Sequence, residues 1–218
     1  HEYSTDGKTF YVNATMSDDS GSGLTQATAK KTIQAAIDIT TSGDTIYVKA
    51  GTYTGTGNKN LDFGGRNIKL IGERSNGSTG AIATIIDCQN SGRGFYFHKK
   101  ETPNAVLENL VVRNGSVSGD FPEGSGGAVL IYDSSPTIKN CIFQNNTAAW
   151  GGAVEFNNSS SSLINCLISG NTSNAEDGGL GIFVIGASTV SITNCTIAGN
   201  TEGNSDMTRT VIGNERMN

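Results

Sequence analysis

The chain has 218 residues, a formal net charge of −5 and a sequence pI near 5.0. That balance argues against nucleic acid or an anionic membrane as the main partner, and no apolar run approaches the roughly 18 residues of a membrane-spanning helix. Charged residues are only 16% and glycines number 29, which with abundant Asn, Ser and Thr suits short strands and tight turns rather than a globular α/β enzyme.

In chain order, His1 reads as a mature N-terminus after export or as the boundary of a trimmed chain. Asp18 and Asp19 match no complete calcium-loop motif and read as solvated loop acids. Residues 29–40, AKKTIQAAIDIT, predict a short amphipathic helix with Ile33, Ala36, Ile37 and Thr40 on one face. SGDTIYVKAGTYTG then gives a turn and a first strand with Ile46 and Val48 inward. Further strands are expected at Asn67–Gly72, Thr84–Cys88 and Gly94–Lys99.

From there a repeat takes over. ENLVVRNG, KNCIFQNN, INCLISGN and TNCTIAGN align without gaps, placing Asn109, Asn140, Asn165 and Asn194 at spacings of 31, 25 and 29 residues. A second motif falls between them: GGAVLIYD from Gly126, GGAVEFNN from Gly151 and GGLGIFVI from Gly178. Two phase-locked motifs with one period are the signature of a solenoid. Leu107, Ile138, Leu163 and Ile192 stand two residues before the Asn. Val112, Phe143, Ile168 and Ile197 stand three after it. These apolar columns alternate with polar ones at strand period and slip by one at the Asn, where the chain must bend. With a third strand after each Gly pair, the reading is all-β. It is a right-handed parallel β-helix of three short strands per coil and roughly six coils, with an N-terminal capping helix. Its parts are an N-terminal segment and cap at 1–43, the β-helix at 44–201 and a tail at 202–218. That tail offers at most one more strand, Thr208 to Ile212, or an irregular cap.

Asn109, Asn140, Asn165 and Asn194 are expected to form a hydrogen-bonded ladder at the bend. Cys141, Cys166 and Cys195 follow as a buried small-apolar column. A Cys141–Cys166 bridge is within reach but not required. Neither C-x-x-C nor a neighbouring His suggests zinc. On the third strand Val129, Val154 and Gly181, then Ile131, Phe156 and Phe183, are expected inward. Tyr96, Leu130, Glu155 and Ile182, then His98, Tyr132, Asn157 and Val184, are expected outward as a ligand or partner face.

The segment FYVNATMSDDSGSG…KKTIQAAIDI…SGDTIYVKAGTYTG resembles the N-terminal region of secreted pectate-lyase-like β-helix proteins. GGAV paired with FQNN at Phe143 to Asn146 resembles the GGA[ILV] and FxxN repeats of polymorphic outer-membrane proteins and bacterial adhesins. The resemblance covers about residues 10–201. It implies a fold that carries lyases, hydrolases, adhesins and structural proteins alike. Lyases of this kind, by that resemblance, need an Arg or Lys base on the sheet after the long loops, and often Ca²⁺. Here that face shows one Glu and one His, with Arg93, Lys99 and Lys100 only at its edge. Glu155 has no carboxylate partner for glycoside hydrolysis, and reads as exposed on a solvated strand.

The loops before the Gly pairs bring Asp120, Phe121 and Glu123, then Trp150, then Glu176 and Asp177 to one edge. That edge is a candidate ligand or calcium site, against the simpler reading that Trp150 packs under a loop. No metal or other cofactor is otherwise expected. Leu130, Tyr132, Ile182 and Val184 would form an apolar patch suited to association. The expectation is therefore an extracellular, secreted or cell-surface module, non-catalytic, adhesin-like or scaffolding. Its partners would be itself or a surface glycan or protein. A polysaccharide lyase acting on acidic glycans is the alternative.

Overall fold

The computed structural model describes residues 7–175, 177–203 and 212–214. Every strand pairing between named strands is parallel. One sheet holds seven strands, from Thr9–Val12 and Thr45–Val48 to Ser191–Thr193. A second holds six, from Gly51–Tyr53 to Thr196–Ala198. The third holds five: Phe95–Phe97, Val129–Tyr132, Val154–Asn157, Ile182–Ile185 and Ile212–Asn214. The chain visits the sheets in turn and stacks coil on coil, so side chains of one column lie above one another. A fourth, three-stranded sheet (Thr147–Ala148, Thr172–Ser173, Thr201–Glu202) joins the second sheet to the third, so the later coils carry four strands rather than three.

Alternation decides what lies inside. Leu107, Ile138 and Leu163 are fully buried, as are Val112, Phe143 and Ile168 across the coil and Val129, Val154 and Ile182 beside them. No single coil buries these faces; the neighbour above and below does. The helix is shorter than its pattern, Ile33–Asp38, but buries Ile33, Ala36 and Ile37 as expected. It cannot start earlier, because the backbone of Lys30 pairs with Tyr11 and Asn13. Asp19 is not a solvated loop acid. Its carboxylate accepts from the N–H groups of Lys31 and Thr32 and from Thr32 Oγ1 at 2.7–2.9 Å, fixing the helix start. Thr9–Val12 is the first strand of the seven-stranded sheet, so the solenoid begins inside the segment expected to precede it.

Two further expectations need correction. GGLGIFVI is one residue out of phase with the other Gly-pair motifs. Gly179, not Gly178, shares the left-handed φ of Gly126 and Gly151 (62°, 59° and 58°), and Ile182 pairs in register with Val154. Ile182 is therefore inward, and Phe183 and Ile185 take the outward positions. At the C-terminal side, the added strand is Ile212–Asn214, paired with Ile182–Val184. Residues 208–211 of the expected strand lie outside the described residues, as does His1.

The Asn ladder is real but stands on another column. Asn109, Asn140, Asn165 and Asn194 all adopt left-handed φ of 52–57° at the bend between first and second sheets. Their side chains face solvent, with one rung between them, Asn165 Nδ2 to Asn140 Oδ1 at 2.7 Å. The continuous ladder is Asn146, Asn171 and Asn200, buried at the next corner. Asn146 donates from Nδ2 to Asn171 Oδ1, and Asn171 to Asn200 Oδ1, each at 2.9 Å. The same oxygens accept the backbone N–H of Asn146 and Asn171, and Asn146 Oδ1 accepts that of Gly115. The Cys column lies at the first corner: Cys141 and Cys166 are buried, Cys195 is half-buried, and all are free thiols. Each Sγ donates to a nearby carbonyl. Burial also pushes the Cys88 thiol up to about 12.

Replacing Asn171 with Ala strands several buried donors and acceptors at once and should cost about 3 kcal/mol or more. Asn165→Ala should cost only about 1 kcal/mol, chiefly for the left-handed backbone. Urea denaturation of both variants checks the ranking; equal costs would contradict it.

Candidate ligand-binding cleft on the third sheet

The outer face of the third sheet is built column by column. Tyr96, Leu130, Glu155 and Phe183 pair in one row; Tyr132, Asn157 and Ile185 lie two residues further on. The loop at 117–124 folds back over this face. Arg93 holds it there, donating from one guanidinium nitrogen to the carbonyls of Pro122 and Glu123, each at 2.7 Å. The Arg93 guanidinium also sits 5.2 Å from the Tyr96 ring centre, and the Phe121 ring meets Tyr132 edge-on at 5.2 Å. Loops of successive coils are tied together, Ala149 and Trp150 N–H donating to Gly124 O and Gly126 N–H to Trp150 O. Gly127 and Gly152 let the coils approach here, since a Cβ on either would collide with the carbonyl of the next coil.

The result is a cleft of about 290 Å³ lined by Phe121, Ser125, Trp150, Glu155, Asn157, Asp177, Phe183 and Ile185. Its walls are aromatic and its floor polar. Glu155 is only 2% exposed, and its Oε2 and the buried Ser125 Oγ complete no hydrogen bond. Burial raises the Glu155 pKa above its ordinary value; the nearby Ser125 and Asn157 side chains and the Arg93 charge pull the other way without cancelling it. Arg93 is itself 7% exposed, with Nε unpartnered, and burial pulls its pKa down from the usual value.

Several residues expected on an open face are therefore elsewhere. Leu130 and Glu155 point outward but are buried, because the loop covers them. Ile182 is in the core. The expected apolar patch of Leu130, Tyr132, Ile182 and Val184 does not form, since Val184 also packs against the core. Arg93 is not at the edge but lies over the face. His98 does sit to one side, stacked on Tyr96 at 4.1 Å with Nε2 3.2 Å from Asp62 Oδ2, where Lys99 also binds. Trp150 lines the cleft rather than disappearing under a loop. Asp120, Glu123 and Asp177 are exposed on the expected edge, and Glu176 lies outside the described residues. Among the described residues no three His, Cys, Asp or Glu side chains converge as a cation site.

A stack of parallel coils with long loops gathered over one sheet defines the parallel β-helix class. Residues 71–208 match the family model for the right handed beta helix region, and the chain belongs to that family. No curated protein matches it in sequence. A rhamnogalacturonan lyase structure is similar, with a TM-score of 0.53 at 16% identity. The match covers 94% of this chain and 65% of that one, and the likeness is one of fold.

Because the folded pKa of Glu155 is raised, its protonated form is the one the fold favours. Its contribution is fully present below about pH 4.3 and is lost as pH rises through the folded value. Glu155→Gln should therefore raise the Tm at neutral pH by about 2–4 °C, roughly the effect of 1 kcal/mol in a chain of this size. The gain should shrink toward zero near pH 4. Thermal melts across pH check this; a loss of Tm at neutral pH would mean that the carboxylate form is the one in use.

Proposed function

We propose that this chain is an extracellular, non-catalytic surface module that holds a glycan in the cleft on its third sheet. The supporting observation is the pairing of aromatic walls, Phe121, Trp150 and Phe183, with a floor of polar side chains that carries no free cation. Aromatic faces take up the apolar C–H face of a sugar ring, and a few polar groups fix its hydroxyls.

Eliminative cleavage asks for something different. A base must reach the proton beside a uronate carboxylate, and positive charge must stabilise the carbanion that forms. Arg93 stands closest to the face, but it is buried and one of its guanidinium nitrogens is turned to two loop carbonyls. A uronate placed in the cleft would meet Glu155 and Asp177 instead. Association of copies through the outer face has lost its basis, because Leu130 and Ile182 are buried. No helix among the described residues is long and apolar enough to cross a membrane.

The test is affinity electrophoresis through gels containing soluble neutral and acidic polysaccharides, with ultraviolet absorbance followed in parallel. Retention by at least one polymer, weakened at least tenfold by Trp150→Ala, with no unsaturated product, is the expected result. Appearance of unsaturated product that Arg93→Lys abolishes would make the protein a lyase; retention unaffected by Trp150→Ala would remove the cleft from the account.

A further inference from the structure

The seven-stranded first sheet carries a second cleft, on a different face and at the opposite end of the stack. It has a volume of about 350 Å³ and is lined by Tyr11, Val12, Asn13, Gln26, Ala29, Tyr47, Val48, Lys49 and Glu73. Thr9–Val12 and Thr45–Val48 pair in register, so Tyr11 lies directly beside Tyr47 on the outward face. Their rings stack at 6.4 Å with an interplanar angle of 24°. The short 3-10 turn Gln26–Thr28 walls one side, held by hydrogen bonds between Tyr11 N–H and Gly23 O and between Lys30 N–H and Tyr11 O.

This pair is not explained by packing. Phe10, Val12, Ile46 and Val48 on the same strands are the core residues, and Tyr47 is 47% exposed. The same outward column continues through Ile71 to Glu108 and Lys139, two and three coils beyond Tyr47, which pair at 2.9 Å. Neither tyrosine hydroxyl has a partner among the described residues. Lys49 Nζ has none either among the described residues; Glu73, which lines the same cleft, accepts the N–H of Ala50 on Oε2 at 2.7 Å. Asn13 uses its Oδ1 on Thr15, which leaves its amide N–H₂ to donate, and the Gln26 side chain is unused.

We infer that the stacked Tyr11–Tyr47 pair, flanked by Asn13, Gln26 and Lys49, is a second glycan-binding platform that takes pyranose rings across its aromatic strip. The rings offer flat, electron-rich faces to axial C–H groups. The free donors, two amides and an ammonium, with two phenols that both donate and accept, match the edge of a hydroxyl-rich ring. The inference stands on its own residues and does not depend on the reading of the third-sheet cleft. With that cleft it would make the chain bivalent, so that two weak sites on one rigid body act at high effective concentration on a single polymer or bridge two.

The experiment uses the full chain and its Trp150→Ala, Tyr47→Ala and double variants. Calorimetric titrations are run with hydroxyethylcellulose, xylan and polygalacturonate as probes. Circular dichroism melts confirm folding, which the exposure of Tyr47 leaves intact, and Tyr47→Phe serves as the conservative control. The expected result is that the Trp150→Ala chain still binds at least one probe. Adding Tyr47→Ala should weaken that binding at least tenfold, while Tyr47→Phe retains most of it. Binding by the Trp150→Ala chain that is indifferent to Tyr47→Ala overturns the inference, and so does a Trp150→Ala chain that binds none of the probes. A Tyr47→Ala variant that changes only the oligomeric mass overturns it too, and assigns the cleft to a second copy of the chain. Loss of the third-sheet cleft alone appears instead as indifference to Trp150→Ala.

Discussion

Everything functional in this molecule hangs on a buried column of side-chain amides. Where the chain turns from the second sheet toward the third, backbone N–H groups face inward with no strand to pair them. Asn146, Asn171 and Asn200 accept those protons on Oδ1 and donate from Nδ2 to the next rung and to carbonyls of neighbouring strands. A column of this kind works only if each coil returns to the same place. It therefore fixes register at the corner just before the long loops leave the stack. The loop at 117–124, the Trp150 turn and the turn before Gly178 consequently emerge one above another, each tied to the last by backbone hydrogen bonds. The cleft is a product of that alignment.

The site is less settled energetically than its scaffold. Under the first of these loops lie an unpartnered guanidinium nitrogen, an unpartnered serine hydroxyl and a carboxyl oxygen without a donor. Each costs free energy that the apolar columns beneath must offset. Two of the three, on Ser125 and Glu155, line the cleft, where a bound ligand would meet them. The first sheet makes the opposite bargain: its two tyrosines are fully compatible with the fold yet leave apolar area in water.

How much of this could be read from the sequence depended on whether the signal was local. The period, the inward columns Leu107–Ile138–Leu163 and Val112–Phe143–Ile168, and the helix face Ile33–Ala36–Ile37 follow from alternation and spacing alone. The ladder was legible in kind but misassigned. Asn140 and Asn146 are both inside the repeat, and both columns suit a bend, so residue type cannot tell the solvated corner from the buried one. The distinguishing sign was the last position of the aligned segments, where Gly115, Asn146, Asn171 and Asn200 each follow an Asn or Gly with left-handed φ. Ile182 is inward because Gly179, not Gly178, takes the left-handed turn, and GGLG by itself does not say which of its glycines does. That Arg93 lies over the face and not at its edge is not legible for a different reason. Its role depends on carbonyls 29 and 30 residues away, in a loop whose path no periodicity encodes. The Tyr11–Tyr47 pair is not legible in the periodicity, because Thr9–Val12 precedes the helix and lies outside the repeating segments.

Native-state hydrogen exchange reports most directly on whether the amide column is what sets the coils in register. The backbone N–H groups of Gly115, Asn146 and Asn171 donate to side-chain oxygens rather than to a strand. On this account they exchange only with global unfolding, as slowly as the core strand residues Phe143 and Ile168. Exchange at the rate of the solvated corner at Asn140 and Asn165 would show that the column opens freely, and that the loops over the third sheet are aligned by something else.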